Sequence, residues 1–232
     1  MSVSVIIVAA GRGTRLGGAI PKQYVHLSGH CAIRRSVEAV LALECVDSIR
    51  AVIHTDDAEP YRTAMQGCGD QRVLQPVQGG VNRADSVRLG LESLADRKPQ
   101  SVLIHDAARP FVSQDIITRI VAALDEAEGA CVALPVVDAL WHSDSSGFAE
   151  THVPREGLWR AQTPQGFRFD KILQAHQAHD GSGADDVAVA REAGLAVKLV
   201  EGAEQNYKIT SSTDLERARA DAARLDANDA GL

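Results

Sequence analysis

Runs that are apolar at nearly every position alternate along this chain with stretches whose apolar residues recur every three or four positions. Ser4 to Val8, Ile49 to Ile53, Val102 to Ile104 and Cys131 to Val137 are runs of the first kind, with Val73-Leu74 a shorter one and Leu195 to Val200 the last. Strand-length runs of this sort predict strands covered on both faces. Ile33, Val37, Val40 and Leu41 recur at helical spacing, as do Ala84, Val87, Leu91 and Leu94. Ser113 stands where it would cap a helix carrying Ile116, Ile117, Ile120 and Leu124. Further helices are predicted over Phe169 to His179, from about Ala184, and after Ser212. The alternation predicts an α/β fold, a Rossmann-like, mostly parallel twisted sheet with helices on both faces. Ligands of such sheets bind beyond the carboxyl ends of the strands, where Gly11 to Gly18 and Asp106 both fall.

The alternation breaks between about Asp138 and Arg160. Turn formers (Ser143-Asp144-Ser145-Ser146-Gly147), two Trp and two His occur there without helical periodicity. This predicts a protruding β-arm at about 138–160 on a single domain spanning 1–232. His176 and His179, with Asp180, lie three apart on a predicted helix and read as a solvated face, since no third metal ligand stands near them in the pattern.

Composition narrows the possible functions. The 232 residues are 45% apolar and 24% charged, enough for one substantial core. No apolar run approaches the ~20 residues that span a bilayer, and the first strand begins at about Val3, so a cytoplasmic protein without a membrane partner is expected. The net charge of −7 argues against coating nucleic acid. Three Tyr, four Phe and two Trp leave little for stacking single-stranded bases. Cys31, Cys45, Cys68 and Cys131 contain no CxxC pair, which predicts a reducing compartment and no zinc site.

The first strand runs into Ala9-Ala10-Gly11-Arg12-Gly13-Thr14-Arg15-Leu16-Gly17-Gly18, followed by Pro21-Lys22-Gln23-Tyr24. Glycines let backbone N–H groups approach phosphate oxygens. Arg15 adds a planar fork and Lys22 a compact charge. The spacing Gly11-x-Gly13-x-x-x-Gly17 is one residue too long for the dinucleotide fingerprint, and the Gly-Lys-Ser/Thr ending of a P-loop is absent. A dehydrogenase reading, with Asp56 as its ribose-binding acid, is disfavoured by that spacing and by Arg15. A non-catalytic nucleotide sensor is disfavoured because the cationic positions are all present.

Strand-AAGRGTRL followed by PKQY resembles the signature of nucleotidyltransferases acting on sugar and polyol phosphates. PKQY in particular is similar to the 2-C-methyl-D-erythritol 4-phosphate cytidylyltransferases of the non-mevalonate isoprenoid pathway. The resemblance continues through Gly79-Gly80-x-x-Arg83-x-Asp85-Ser86-Val87, His105-Asp106-Ala107-Ala108-Arg109-Pro110, Gly157-Leu158-Trp159-Arg160-Ala161-Gln162-Thr163-Pro164-Gln165 and Asn206-x-Lys208-Ile209-Thr210.

The resemblance implies transfer of a cytidylyl group from CTP to a polyol phosphate. It places Ala9, Ala10, Gly11, Gly13, Gly80, Ser86, Asp106 and Ala107 around CTP, with Gly80 and Ser86 against the cytosine. Arg15 and Lys22 would act on the triphosphate, and a magnesium ion would have Asp106 as its protein neighbour. Asp106, Arg155, Thr163 and Lys208 would hold the acceptor, Arg155 by reaching across a homodimer formed through the arm. Val81, Ala139, Trp141 and Ala184 depart from the family pattern. Ribitol 5-phosphate or a sugar 1-phosphate is the alternative acceptor. An ionised phosphate monoester attacking in line needs charge neutralisation and positioning, not a general base.

Overall fold

The computed structural model describes residues 2–12 and 20–229. The chain begins with β1 (Val3–Ala9), whose side chains alternate between two cores. Val3, Val5 and Ile7 face one core and Ile6 the other, so the run is covered on both faces except at the half-buried Val8. After a 3-10 turn at Lys22–Tyr24 and the two-residue strands β2 (His26–Leu27) and β3 (His30–Cys31) come α1 (Ala32–Leu41), β4 (Val46–Ile53), α2 (Ala58–Ala64), β5 (Val77–Gln78), α3 (Arg83–Glu92) and β6 (Ser101–Asp106). The second half runs α4 (Gln114–Ala123), β7 (Gly129–Pro135), β8 (Leu140–Ser143), β9 (Ala149–Val153), β10 (Trp159–Arg168), α5 (Phe169–Ala178), α6 (Asp186–Glu192), β11 (Val197–Glu201) and α7 (Ser212–Asp229).

Seven strands form one mixed, mostly parallel sheet in the order β11-β7-β10-β6-β1-β4-β5. Ile33, Val37, Ile116, Ile117 and Ile120 bring α1 and α4 onto one face, closing the core with Val5 and Ile7. Val87, Leu91, Ile172 and Val189 bring α3, α5 and α6 onto the other, against Ile6, Val102 and Phe167. Ser113 caps α4 as expected, accepting a hydrogen bond from the Ile116 N–H. From β1 the chain crosses by α1 to β4 on one side, then by α3 to β6 on the other. A crevice therefore opens between the carboxyl ends of β1 and β6, at the point where the strand order reverses.

Several expectations need correction. Val73 makes only an isolated bridge to Ile49, and the strand at that edge is β5. The arm is a hairpin of β8 and β9, but Trp159 and Arg160 lie outside it and begin β10. This strand enters the main sheet antiparallel to both β6 and β7. It carries no apolar run because its buried polar side chains are satisfied by distant partners: Gln162 donates to Ala203 O, and Gln165 to Asp185 Oδ2. His176 and His179 do not form a solvated face. His176 is buried with its Nε2 3.2 Å from Asp186 Oδ1, and His179 Nε2 is 3.0 Å from Glu192 Oε2.

Candidate active site

A cleft of about 550 Å³ lies at the carboxyl ends of β1, β4 and β6. Ala9, Ala10 and Gly11 form one wall, continuing directly from β1, with Lys22 beside them. Gly80 and Ser86 lie on another wall, where a loop enters α3. Asp106, Ala107 and Lys208 complete it at the end of β6. Gly13 and Arg15 lie outside the described residues.

The wall at Gly80 is built by local hydrogen bonding. Asn82 Oδ1 accepts from the Asp85 N–H and caps α3, while the Ser86 hydroxyl accepts from the Gly80 N–H at 3.1 Å and donates to Asn82 O at 2.8 Å. Val81, next to them, is fully exposed at 99%. On the opposite wall Gln23 is buried and its amide donates to Ala9 O at 2.7 Å, with Gly11 O and Asp57 Oδ2 also within reach. Asp57 also pairs with Arg12 at 3.3 Å, and Arg12 reaches the exposed Asp56 as well. The start of the glycine loop is thereby tied to both β1 and the segment after β4.

Asp106 is the centre of charge. Its Oδ2 is 2.7 Å from Lys208 Nζ and 3.9 Å from Arg109 Nε, and its Oδ1 is 3.6 Å from Arg83 Nε. Burial pushes its carboxyl upward, but Lys208, Arg83 and Arg109 outweigh that and hold it well below the usual carboxylate range. Asp106 is therefore ionised at neutral pH. Thr163, behind it on β10, accepts from the Asp106 backbone N–H at 3.0 Å and lies 3.0 Å from His105 Nδ1. His105 is completely buried, with its Nε2 3.0 Å from Arg109 O, and burial lowers its pKa to about 4. It stays neutral, donating from Nε2 to that carbonyl and accepting from Thr163 at Nδ1, so it braces the turn and is not a base for the reaction.

Lys208 is positioned by the segment that carries it. The buried Asn206 donates to Thr163 O at 2.8 Å, Arg109 donates to Asn206 O at 2.7 Å, and the Ile209 N–H donates to Ala108 O at 2.9 Å. Lys22 Nζ donates to Ile209 O at 3.2 Å, so the two lysines converge on one stretch from residues far apart in the chain. Arg155 stands apart. It lies exposed after β9, donates to Val137 O, and is not among the residues lining this cleft.

Arg83 is a cleft residue with no role assigned to it from the sequence. Its Nε lies 3.6 Å from Asp106 Oδ1, and its Nη2 pairs at 2.8 Å with the buried Asp186. Gln23 and Asn206 were likewise visible only as members of PKQY and of the Asn206-x-Lys208 motif.

The comparisons with known proteins bear on the family and the fold. A family model described as 2-C-methyl-D-erythritol 4-phosphate cytidylyltransferase matches residues 3–223. The chain belongs to this cytidylyltransferase family. It is 47% identical to the 2-C-methyl-D-erythritol 4-phosphate cytidylyltransferase of Cereibacter sphaeroides over 232 residues, covering all of both chains. It is 50% identical to the bifunctional enzyme IspD/IspF of Paramagnetospirillum magneticum over 216 residues, which are 93% of this chain and 55% of that enzyme. The chain thus spans about half the length of the bifunctional relatives it matches. A solved structure of the cytidylyltransferase from Thermus thermophilus superposes with a TM-score of 0.76 at 30% identity, over 96% of this chain and 100% of that one. The 4-diphosphocytidyl-2C-methyl-D-erythritol synthase of Anaerococcus prevotii gives 0.81 at 25% identity, over 94% and 95%. The chain has the fold of this family, a seven-stranded sheet with a β-hairpin arm, and its reaction class is cytidylyl transfer.

Proposed function

We propose that the cleft joins CTP to 2-C-methyl-D-erythritol 4-phosphate, with the sheet and the arm working as one unit. The observation that carries this reading is the convergence of Lys22 and Lys208 on one stretch, beside an Asp106 that stays charged among cations. Two anionic substrates must meet there, so neutralisation and alignment supply most of the rate. CTP lies with its base against Gly80 and Ser86 and its phosphates along Gly11 and Lys22; Gly13 and Arg15, which lie outside the described residues, join them by the family resemblance alone. Lys208 and Asp106, with Thr163 behind them, position the acceptor. Its phosphate oxygen attacks the α-phosphorus in line and pyrophosphate leaves.

Among the described residues no group of three His, Cys, Asp or Glu side chains stands ready to hold a metal ion. A divalent ion would fit as a companion of the nucleotide. Asp106 would be the carboxylate that holds it, since Oδ1 faces Arg83 only at 3.6 Å and keeps lone pairs available. Such an ion would neutralise charge on the triphosphate.

The arm supports a homodimer. Trp141 and Phe148 of the hairpin, together with Val137, Leu158 and Trp159 at its base, are apolar and exposed. Arg155 then serves the partner's cleft rather than its own. The four free cysteines fit a reducing, cytoplasmic setting, and no described helix is long and apolar enough to cross a membrane.

A panel assay tests the reaction. Pyrophosphate release is measured with each of four nucleoside triphosphates and with methylerythritol, ribitol and sugar phosphates as acceptors. Release with CTP and methylerythritol phosphate, abolished by chelating the divalent ion, is expected. Preference for another pair would replace the acceptor or the nucleotide.

A further inference from the structure

Asp186 is completely buried, and its two oxygens face different partners. Oδ2 accepts from Arg83 Nη2 at 2.8 Å, and Oδ1 lies 3.2 Å from Nε2 of the buried His176. On its other side Arg83 lines the cleft, with Nε 3.6 Å from Asp106 Oδ1. Asp106 in turn holds Lys208 at 2.7 Å. A row of side chains, Lys208, Asp106, Arg83, Asp186 and His176, thus runs from the cleft into the space between α3, α5 and α6.

The row has one anchored end. The Asp186 N–H donates to the side-chain Oε1 of Gln165 on β10 at 3.1 Å, and Asp185 beside it caps α6, so the main chain that carries the carboxylate is tied to a buried sheet side chain and to the helix start. Burial pushes the Asp186 carboxyl up, but Arg83 and His176 reverse this and keep it below the usual range. A guanidinium left to itself takes a carboxylate with two parallel hydrogen bonds. Arg83 makes its hydrogen bond to Asp186 instead and stands back from Asp106.

We propose that Asp186, seated by His176, is a positioning residue for the transfer: it holds Arg83 off Asp106, so that Asp106 keeps its short ion pair with Lys208 at the acceptor end of the cleft. This rests on the reading of the cleft as the cytidylyltransferase site. Without the Asp186 charge, Arg83 turns onto Asp106 and competes with Lys208, so the acceptor is held wrongly while the CTP walls are undisturbed.

Asp186→Asn removes the charge at nearly constant size. With each substrate varied in turn, the KM for methylerythritol phosphate is expected to rise about tenfold or more while the KM for CTP stays unchanged. Breaking a buried pair can unfold a chain, so His176→Gln is made alongside, and thermal melting reports which variants are folded. His176→Gln is expected to give the same split at lower amplitude, and it decides the matter if Asp186→Asn does not fold. A folded variant with wild-type acceptor KM, or one whose two KM values rise together, would overturn the proposal. A wild-type enzyme that releases no pyrophosphate from this substrate pair would instead overturn the reading of the cleft.

Discussion

Gly79 is where a single added carbon disturbs the cleft most directly. A Cβ there would stand 2.5 Å from the Ala10 Cβ and 2.7 Å from the Ser86 Oγ. Non-bonded carbons rest at ~3.5–4.0 Å, so Gly79 and Ala10 must part by at least ~1 Å. Neither neighbour can turn away: Ala10 has no rotamer to change, and the Ser86 hydroxyl is held between the Gly80 N–H and Asn82 O. Overpacking of this kind costs about 1–3 kcal/mol, which lowers the melting temperature of a chain this size by roughly 2–12 °C. The larger effect is on catalysis, because a ~1 Å displacement of positioning groups is worth about 10² in rate. Gly79→Ala should therefore remain folded and lose about 10²-fold in kcat/KM for CTP. Gly11→Ala is the matched control for stability, since no described atom lies within 4 Å of its added Cβ. It should melt like the wild type, and any rise in its KM for CTP would report nucleotide packed against the loop backbone. The assay is steady-state pyrophosphate release with CTP varied, alongside thermal melts. Wild-type kcat/KM for CTP in a folded Gly79→Ala would refute the placement of CTP between these walls.

Lys22→Ala and Lys208→Ala should each lower turnover by at least ~10²-fold with the fold intact, as turnover and melting measurements will show; near-normal turnover in either would remove that lysine from the mechanism. His105 contributes a pH dependence of stability with a definite sign. Its folded pKa of about 4 lies below the ordinary histidine value of 6.5, so between those values the unfolded chain takes up a proton that the folded chain refuses. That contribution is fully present above pH 6.5 and falls by about 3 kcal/mol as pH drops towards 4. Denaturant titrations of wild type and His105→Gln across this range should show a flatter profile for the variant. Replacing Trp141 and Phe148 together by Ser should shift sedimentation towards monomer, and mixing that variant's subunits with Arg155→Ala subunits should not restore activity.

The all-apolar runs could be read without tertiary information, because a strand covered on both faces has no polar positions to hide its pattern. That is why β1, β4, β6 and β7, the helices α1, α3 and α4 and the crevice beyond Ala9 and Asp106 were visible in advance, whereas the short α2 was not. Spacing also separated the Gly11 loop from the two commoner glycine loops, and the PKQY resemblance led to the reaction class that the family match supports. β10 was hidden because Gln162, Thr163 and Gln165 occupy buried positions normally taken by apolar residues, and their partners lie 20 to 58 positions away. His176 and His179 were misread for the same reason: a histidine three residues from another says nothing about the carboxylates that α6 brings to meet it. Periodicity measures only how a residue relates to its near neighbours along the chain. It was therefore enough to lay out the sheet and point to the cleft. The pairing of Asp106 with Lys208, and of Arg83 with Asp186, depended on strands and helices closing contacts across the whole fold.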